Sequence, residues 1–270
     1  MNAEEQRKYR RQLLRQRRRR IRRIKKACRI LLATLLVGIA ITFVMQSYKA
    51  DSEVSAGQLR EQMGEEYPDS LITLLEKNPE TKQFVLDYPK NKDKHQEIDL
   101  SDEVQKGTIP LFLQWDERWG YETYGNDFLA VTGCGPTCLS MVWCGLSGGT
   151  EWDPYSVAQF AEKEGYYVKG AGSAWDLMTS GAEDLGLMVD SVVFDADHIL
   201  EKLQSGNPVI CVMRPGDFTT SGHFIVLSGV DEDGKVKVCD PNSKENSDKT
   251  WDVEDLIPQI KNLWSYRYEA

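Results

Sequence analysis

Three of the chain's six cysteines fall within eleven positions, in VTGCGPTCLSMVWCG (residues 131–145). Four kinds of chemistry compete for such a cluster. Zinc prefers paired Cys-x2-4-Cys or His ligands, and here Cys134-x3-Cys138-x5-Cys144 is followed by no second pair, so no metal is expected. Disulfides are disfavoured within the segment because all three cysteines would lie along one helix. Cys211 and Cys239 fall in strand-like stretches and would pair only if those strands were neighbours; otherwise they are small buried apolar residues. Nucleophilic catalysis remains. A reactive thiol needs a lowered pKa, which a helix N-terminus and a nearby imidazole supply. Cys134 stands between Gly133 and Gly135, with Pro136 suited to a first helical turn. The backbone N–H groups and dipole at that entrance favour a thiolate. Cys138 and Cys144 sit further along the helix and read as packing.

The chain holds only three histidines. His95 lies in a charged stretch, and His198 opens a helix, where the dipole disfavours an imidazolium. His223 stands at the mouth of an apolar strand in TSGHFIVLSGV. The next strand ends in VCDPNS, and a hairpin turn at Asp233-Gly234 brings that end back beside His223. Asp240 can then accept from the imidazole and fix its tautomer, with Asn242 as the other choice. Gln114, twenty residues before Cys134 in PLFLQWDERWG, offers a side-chain N–H that would join the Cys134 backbone N–H in holding an oxyanion.

These residues need elements to place them. GPTCLSMVWCGL, DPYSVAQFAEKEG, SAWDLMTSGAEDLG and DADHILEKLQSG have helical spacing; Asp153 caps the second, and Gly186 and Gly206 end the last two. The chain then turns to strands: PVICVMR (208–214), HFIVLSGVD (223–231), KVKVCD (235–240) and finally LWSYRYE, with TIPLFLQW as a strand-like entry. Helices followed by a β-rich half predict an α+β domain with an antiparallel sheet. Upstream, YPDSLITLLEKNPETKQFVLDYPK (67–90) predicts a small helical hairpin, broken at Asn78-Pro79-Glu80 and ended by Tyr88-Pro89, that packs against the main domain. Residues 91–107 read as a mobile linker.

The net charge of −9 conceals an asymmetry. Residues 1–29 hold 14 Lys/Arg against two Asp/Glu; of the 33 basic and 42 acidic residues, 19 and 40 are left for the rest, a net of −21. A basic arm can bind nucleic acid. The adjoining run, ILLATLLVGIAITFVM (30–45), is uncharged throughout and approaches the length of a bilayer span. Basic flanks stay in the cytoplasm. The expectation is therefore a cytoplasmic tail (1–29), a membrane anchor (30–48), a helical spacer and linker (49–107), and an extracytoplasmic domain (108–270), with no nucleic-acid partner. Val54-Ser55-Ala56 offers the rival of a cleaved leader.

IPLFLQWDERWGYETYG, TGCGPTCLSMV, GHFIVLSGVD and VCDPNS, in this order, resemble the C39-like cysteine peptidases, a papain-like group of Gram-positive bacteria, over about residues 108–268. The segment 67–89 also resembles the helical stretch ahead of the peptidase domain in membrane-anchored members. The resemblance implies a papain-like cysteine peptidase fold, with N-terminal helices and a C-terminal antiparallel sheet, preceded by one transmembrane helix and a short helical segment. It implies Cys134 as nucleophile, His223 as base and acid, Asp240 as the orienting group and Gln114 as oxyanion donor. It implies a peptide or protein substrate and no cofactor. Better-known relatives sit on ATP-driven exporters and cut leader peptides after a double glycine; this chain carries no Walker motif, and an outward-facing site is on the wrong side for such a leader. An amidase or acyltransferase acting on cell-wall peptides, and an inactive binding module, remain open on the same fold.

Overall fold

In the strands between residues 208 and 267 successive side chains point to opposite faces, as in Ile210 and Val212 against Cys211 and Met213, and this pattern builds the centre of the molecule. The computed structural model describes residues 66–269, all within one compact unit that begins at Met63. In chain order its helices are α1 (Asp69–Lys77), α2 (Lys82–Asn91), α3 (Leu129–Thr132), α4 (Cys134–Ser147), α5 (Pro154–Lys163), α6 (Ser180–Asp184), α7 (Ala196–Gln204), α8 (Lys244–Ser247) and α9 (Val253–Leu256). Its strands are β1 (Thr123–Tyr124), β2 (Asp127–Phe128), β3 (Tyr167–Val168), β4 (Gly172–Ser173), β5 (Met188–Ser191), β6 (Val209–Met213), β7 (His223–Val230), β8 (Val236–Cys239), β9 (Thr250–Trp251) and β10 (Ile260–Arg267). Six of the strands form one antiparallel sheet in the order β5-β10-β6-β7-β8-β9.

The sheet is covered on both faces, so β6 is buried along its whole length. Ile210, Val212, Phe224, Val226 and Tyr266 join Leu139, Met141 and Val142 of α4 in one core cluster. Cys211, Met213, Ile225 and Leu227 join Ile199 and Leu203 of α7 in the other. The residues from Gly135 to Gly145 of α4 are all buried, as expected of a helix enclosed on every side. Gly148, with φ of 79°, ends it in the left-handed region.

The α+β class and the C-terminal antiparallel sheet are as the sequence predicts. Several local readings change. TIPLFLQW forms no strand among the described residues; it runs as an extended loop, tied at Gln114 N–H to Pro241 O (2.7 Å). SAWDLMTSGAEDLG divides into a 3-10 turn, Trp175–Met178, and the short α6. The second hairpin helix passes through Pro89 to Asn91; the missing N–H falls in the last turn, where little of the helix remains to be disrupted. The mobile linker expected over residues 91–107 is instead anchored: Leu100 is buried in the α4-side core with Ile98 and Val104 against it, and Gly107 N–H donates to Gly145 O (2.8 Å). Cys211 and Cys239 are free thiols, separated by β7 and packed on opposite faces of the sheet.

The expected membrane anchor at 30–48 and the basic tail lie outside the described residues. Among the described residues no helix is long and apolar enough to cross a membrane.

Candidate active site

The α4 helix starts at Cys134 with Gly133 as its cap residue. Both flanking glycines are required by contact. A Cβ on Gly133 would strike Leu129 O, and one on Gly135 would strike Ser173 Oγ and, at 2.8 Å, Ser173 Cβ. Ser173 is itself held by Tyr124 through a 2.8 Å hydroxyl contact. The chain thus turns into α4 against a fixed wall, and the Cys134 thiol is delivered to the base of a cleft of about 660 Å³, within the usual range of small binding clefts.

Antiparallel pairing brings the imidazole to it. His223 is the first residue of β7, paired with Met213 of β6, and α4 packs on β7. On β8, Cys239 pairs with Val226, so Asp240, one step further, lies diagonal to His223. His223 Nε2 donates to Asp240 Oδ1 at 2.7 Å, with both side chains buried. Nδ1 is then the ring nitrogen left for the Cys134 sulfur, which lines the same cleft as His223. Asn242, the other choice as orienting group, does not reach the imidazole among the described hydrogen bonds; its backbone N–H donates to Asp240 Oδ1 (2.9 Å).

The electrostatics follow from this chain of contacts. Burial pushes the Cys134 thiol up, but the His223 hydrogen bond and charge, with the Phe224 and Gly135 backbone N–H groups, outweigh it and hold the thiol below its usual value. Burial pulls His223 down, yet the charge and hydrogen bond of Asp240, then Cys134, raise it to about 10. Burial would raise Asp240, and His223, Asn246 and the Asn242 N–H more than offset that and lower it. The arrangement therefore favours thiolate and imidazolium together. By contrast, burial drives Cys138 well above the ordinary thiol range and Cys144 to about 12.

Gln114 is buried beside Cys134 in the same cleft. Its Nε2 donates to Ala130 O at 2.6 Å, which leaves a second amide hydrogen. The remaining histidines lie elsewhere: exposed His95 contacts Glu122, and exposed His198 contacts Asp195, which raises it despite its place at a helix start. Among the described residues no His/Cys/Asp/Glu group is arranged to hold a metal ion.

Sequence reasoning missed Asn246, whose Nδ2 donates to Asp240 Oδ2 at 2.9 Å, and Ser247, whose Oγ accepts from Asp240 N–H at 2.9 Å. Nothing in KENS distinguishes these from surface residues. It also missed the walls of the cleft. One is α1, through Asp69, Ser70, Thr73, Leu74 and Lys77; the other is the loop of residues 216–222.

Residues 106–270 match the Peptidase_C39 like family. Among solved structures, the chain is similar to the peptidase domain of Streptococcus ComA, a bi-functional ABC transporter involved in a quorum sensing pathway. Identity there is 17% and the TM-score 0.40, over 51% of this chain and 93% of that one. It is also similar to a Bacillus anthracis protein described as a C39-like peptidase, at 15% identity and a TM-score of 0.41, over 62% of this chain and 98% of that one. No curated protein matches the chain.

Proposed function

The chain belongs to the Peptidase_C39 like family, and on that footing we propose that it is a membrane-anchored, extracytoplasmic cysteine peptidase using Cys134, His223, Asp240 and Gln114. The observation that carries this reading is that Cys134 and His223 line one cleft, with the His223 imidazole held by buried Asp240 at 2.7 Å.

In this reading the Cys134 thiolate attacks the scissile carbonyl carbon and forms a C–S bond. Negative charge gathers on the carbonyl oxygen, where the Cys134 backbone N–H and the second Gln114 amide hydrogen receive it. The imidazolium of His223 gives its proton to the departing amine as the C–N bond breaks. The neutral imidazole then takes a proton from water, which attacks the thioester and frees the acid and the thiol. Asp240 fixes the Nε2–H tautomer throughout, so that Nδ1 faces the sulfur. No metal or organic cofactor enters these steps.

The basic residues 1–29 and the uncharged run beside them support the anchored topology, with the unit that carries the catalytic residues outside. The test is peptide hydrolysis by the purified chain and its Cys134→Ala variant, on a panel that includes cell-wall peptides. Hydrolysis of unbranched peptides that vanishes in the variant supports the reading. Activity confined to cell-wall amides would replace it with an amidase. Activity indifferent to Cys134 would leave a binding module.

A further inference from the structure

The turn between α1 and α2 grips the segment that carries Asp240. Asn78 Nδ2 donates to Asn242 O at 2.5 Å, and the Trp115 indole N–H donates to the same carbonyl at 3.0 Å. The Asn78 amide is itself fixed. Its Oδ1 accepts from Glu80 N–H (3.0 Å), while Thr81 Oγ1 donates to its carbonyl (2.7 Å). Glu80 uses both oxygens on the far side of the chain: Ser243 Oγ donates to Oε1 (2.5 Å) and Lys244 N–H to Oε2 (2.9 Å). Lys244 opens α8, so Glu80 satisfies a first-turn N–H that the short helix cannot satisfy for itself. Two residues of α8, Asn246 and Ser247, hold the Asp240 carboxylate and amide. Asn242 presents its N–H to Asp240 Oδ1. Every protein group that fixes Asp240, other than His223 itself, therefore lies on a segment held by Asn78 or Glu80.

We infer that Asn78 and Glu80 are positioning residues which clamp the 240–247 segment and so hold Asp240 in register with His223. The hairpin bearing them lies ahead of residues 106–270, the part matched by the family. The inference rests on the reading of Cys134, His223 and Asp240 as the catalytic set. Hydrogen bonds to a carboxylate are about twice as strong as neutral ones, and Glu80 makes two such bonds across 163 and 164 positions of sequence. Loosening this grip lets Asp240 drift. His223 then loses the charge that raises it, and Cys134 loses the imidazolium that lowers it. The other charged groups lining the cleft, Asp69, Asp127, Asp217 and Lys77, are untouched by the substitutions.

The experiment is the rate of Cys134 alkylation by iodoacetamide from pH 5 to 9 in the full chain, with thermal melting in parallel. It requires no substrate. The wild type should react along an acid limb placed below the ordinary thiol value of 9.0. Asn78→Ala and Glu80→Ala should shift that limb up by about one pH unit, a roughly tenfold slowing near pH 6 that disappears near pH 9, where the thiolate forms unaided. Glu80→Gln, which keeps one accepting oxygen, should fall between and serves if the alanine variant does not fold. Leu203→Ala, buried under the opposite face of the sheet, should lower the melting temperature and leave the limb in place. Folded Asn78 and Glu80 variants with an unmoved limb would overturn the clamp, as would an equal shift in Leu203→Ala. A wild-type limb at or above 9 would instead overturn the catalytic reading.

Discussion

Two forces of opposite sign meet on the Cys134 sulfur, and His223 decides between them. Burial alone would leave Cys134 as inert as Cys138; the imidazole makes it the low-pKa thiol of the described chain. Iodoacetamide at pH 7 should therefore label Cys134 at least about 100-fold faster than Cys138, Cys144, Cys211 or Cys239, each buried with its thiol raised; peptide mapping of the adducts reads the ratio. Asp240→Asn removes the main charge raising His223 from 6.5 toward 10. The alkaline limb of kcat/KM should move down and the acid limb up, with a loss of roughly 10²-fold at neutral pH. Stability follows the same signs. The raised His223 contributes fully below its unfolded value of 6.5, and that contribution is lost as pH climbs through about 10. The lowered Asp240 contributes fully above 3.8 and loses its share as pH falls through its lower folded value. Melting temperatures of wild type and Asp240→Asn should accordingly differ most between about pH 4 and 6.5 and converge on both sides. Cys134 and His223 stood out in the sequence because their chemistry restricts the residue type: a glycine-flanked thiol before a proline, and one histidine of three at a strand mouth; Asp240 stood there level with Asn242. Asn246 did not stand out, because an asparagine in a short polar helical turn has no pattern to declare its partner.

Elements set the angles at which those residues meet. The strand-like stretches gave β6, β7 and β8 within a residue or two and started β10 three residues late, and Asp153 caps α5 as its position suggests; Asp195 caps α7 as well. No periodicity reveals the irregularity between β7 and β8. Leu227 pairs with Val238 and Gly229 with Lys237, so Ser228 is an extra residue. A one-residue slip sends every following side chain to the other face. Starting from the turn at Asp233-Gly234, this bulge places Cys239 opposite Val226 and brings Asp240 onto the side that His223 can reach. Deleting Ser228 should preserve the far-ultraviolet dichroism of the sheet and reduce hydrolysis to the level of Cys134→Ala. Full activity in the deletion would show that register is set elsewhere. Gly135→Ala tests the entry to α4 in the same way. Its Cβ must displace Ser173, at a cost of about 1–3 kcal/mol in denaturant unfolding, and the shift falls on the residue next to the nucleophile.

At the scale of the whole chain, the division legible in charge differs from the division made by packing. Composition separates a polycationic end from an acidic remainder and makes 49 to 107 a helical spacer and linker, its hairpin at 67–90 expected to pack against the main domain. Packing draws the hairpin into the catalytic unit. Phe84 stacks on Tyr121 with ring centroids 4.2 Å apart, Tyr121 Oη donates to Phe84 O (2.6 Å), and Leu100 lies in the α4-side core. The packing of the hairpin is as expected; the burial of Leu100 leaves only scattered apolar residues in the sequence, which is why residues 91–107 read as a linker. The compact unit begins at Met63, some forty residues before the family-matched region. A chain starting at Met63 should then melt and hydrolyse like the full-length protein while leaving the membrane fraction, because the anchor proposed for residues 30–48 is gone. A chain starting at residue 106 keeps the matched region but loses the Phe84 stack, buried Leu100 and the grip on the 240–247 segment. Removing a large buried aromatic alone costs about 3–5 kcal/mol, a substantial part of the 5–15 kcal/mol that holds a typical domain together. It should be poorly folded or inactive, as read by melting and peptide hydrolysis. Native melting and activity in that shorter chain would reduce the hairpin to a spacer.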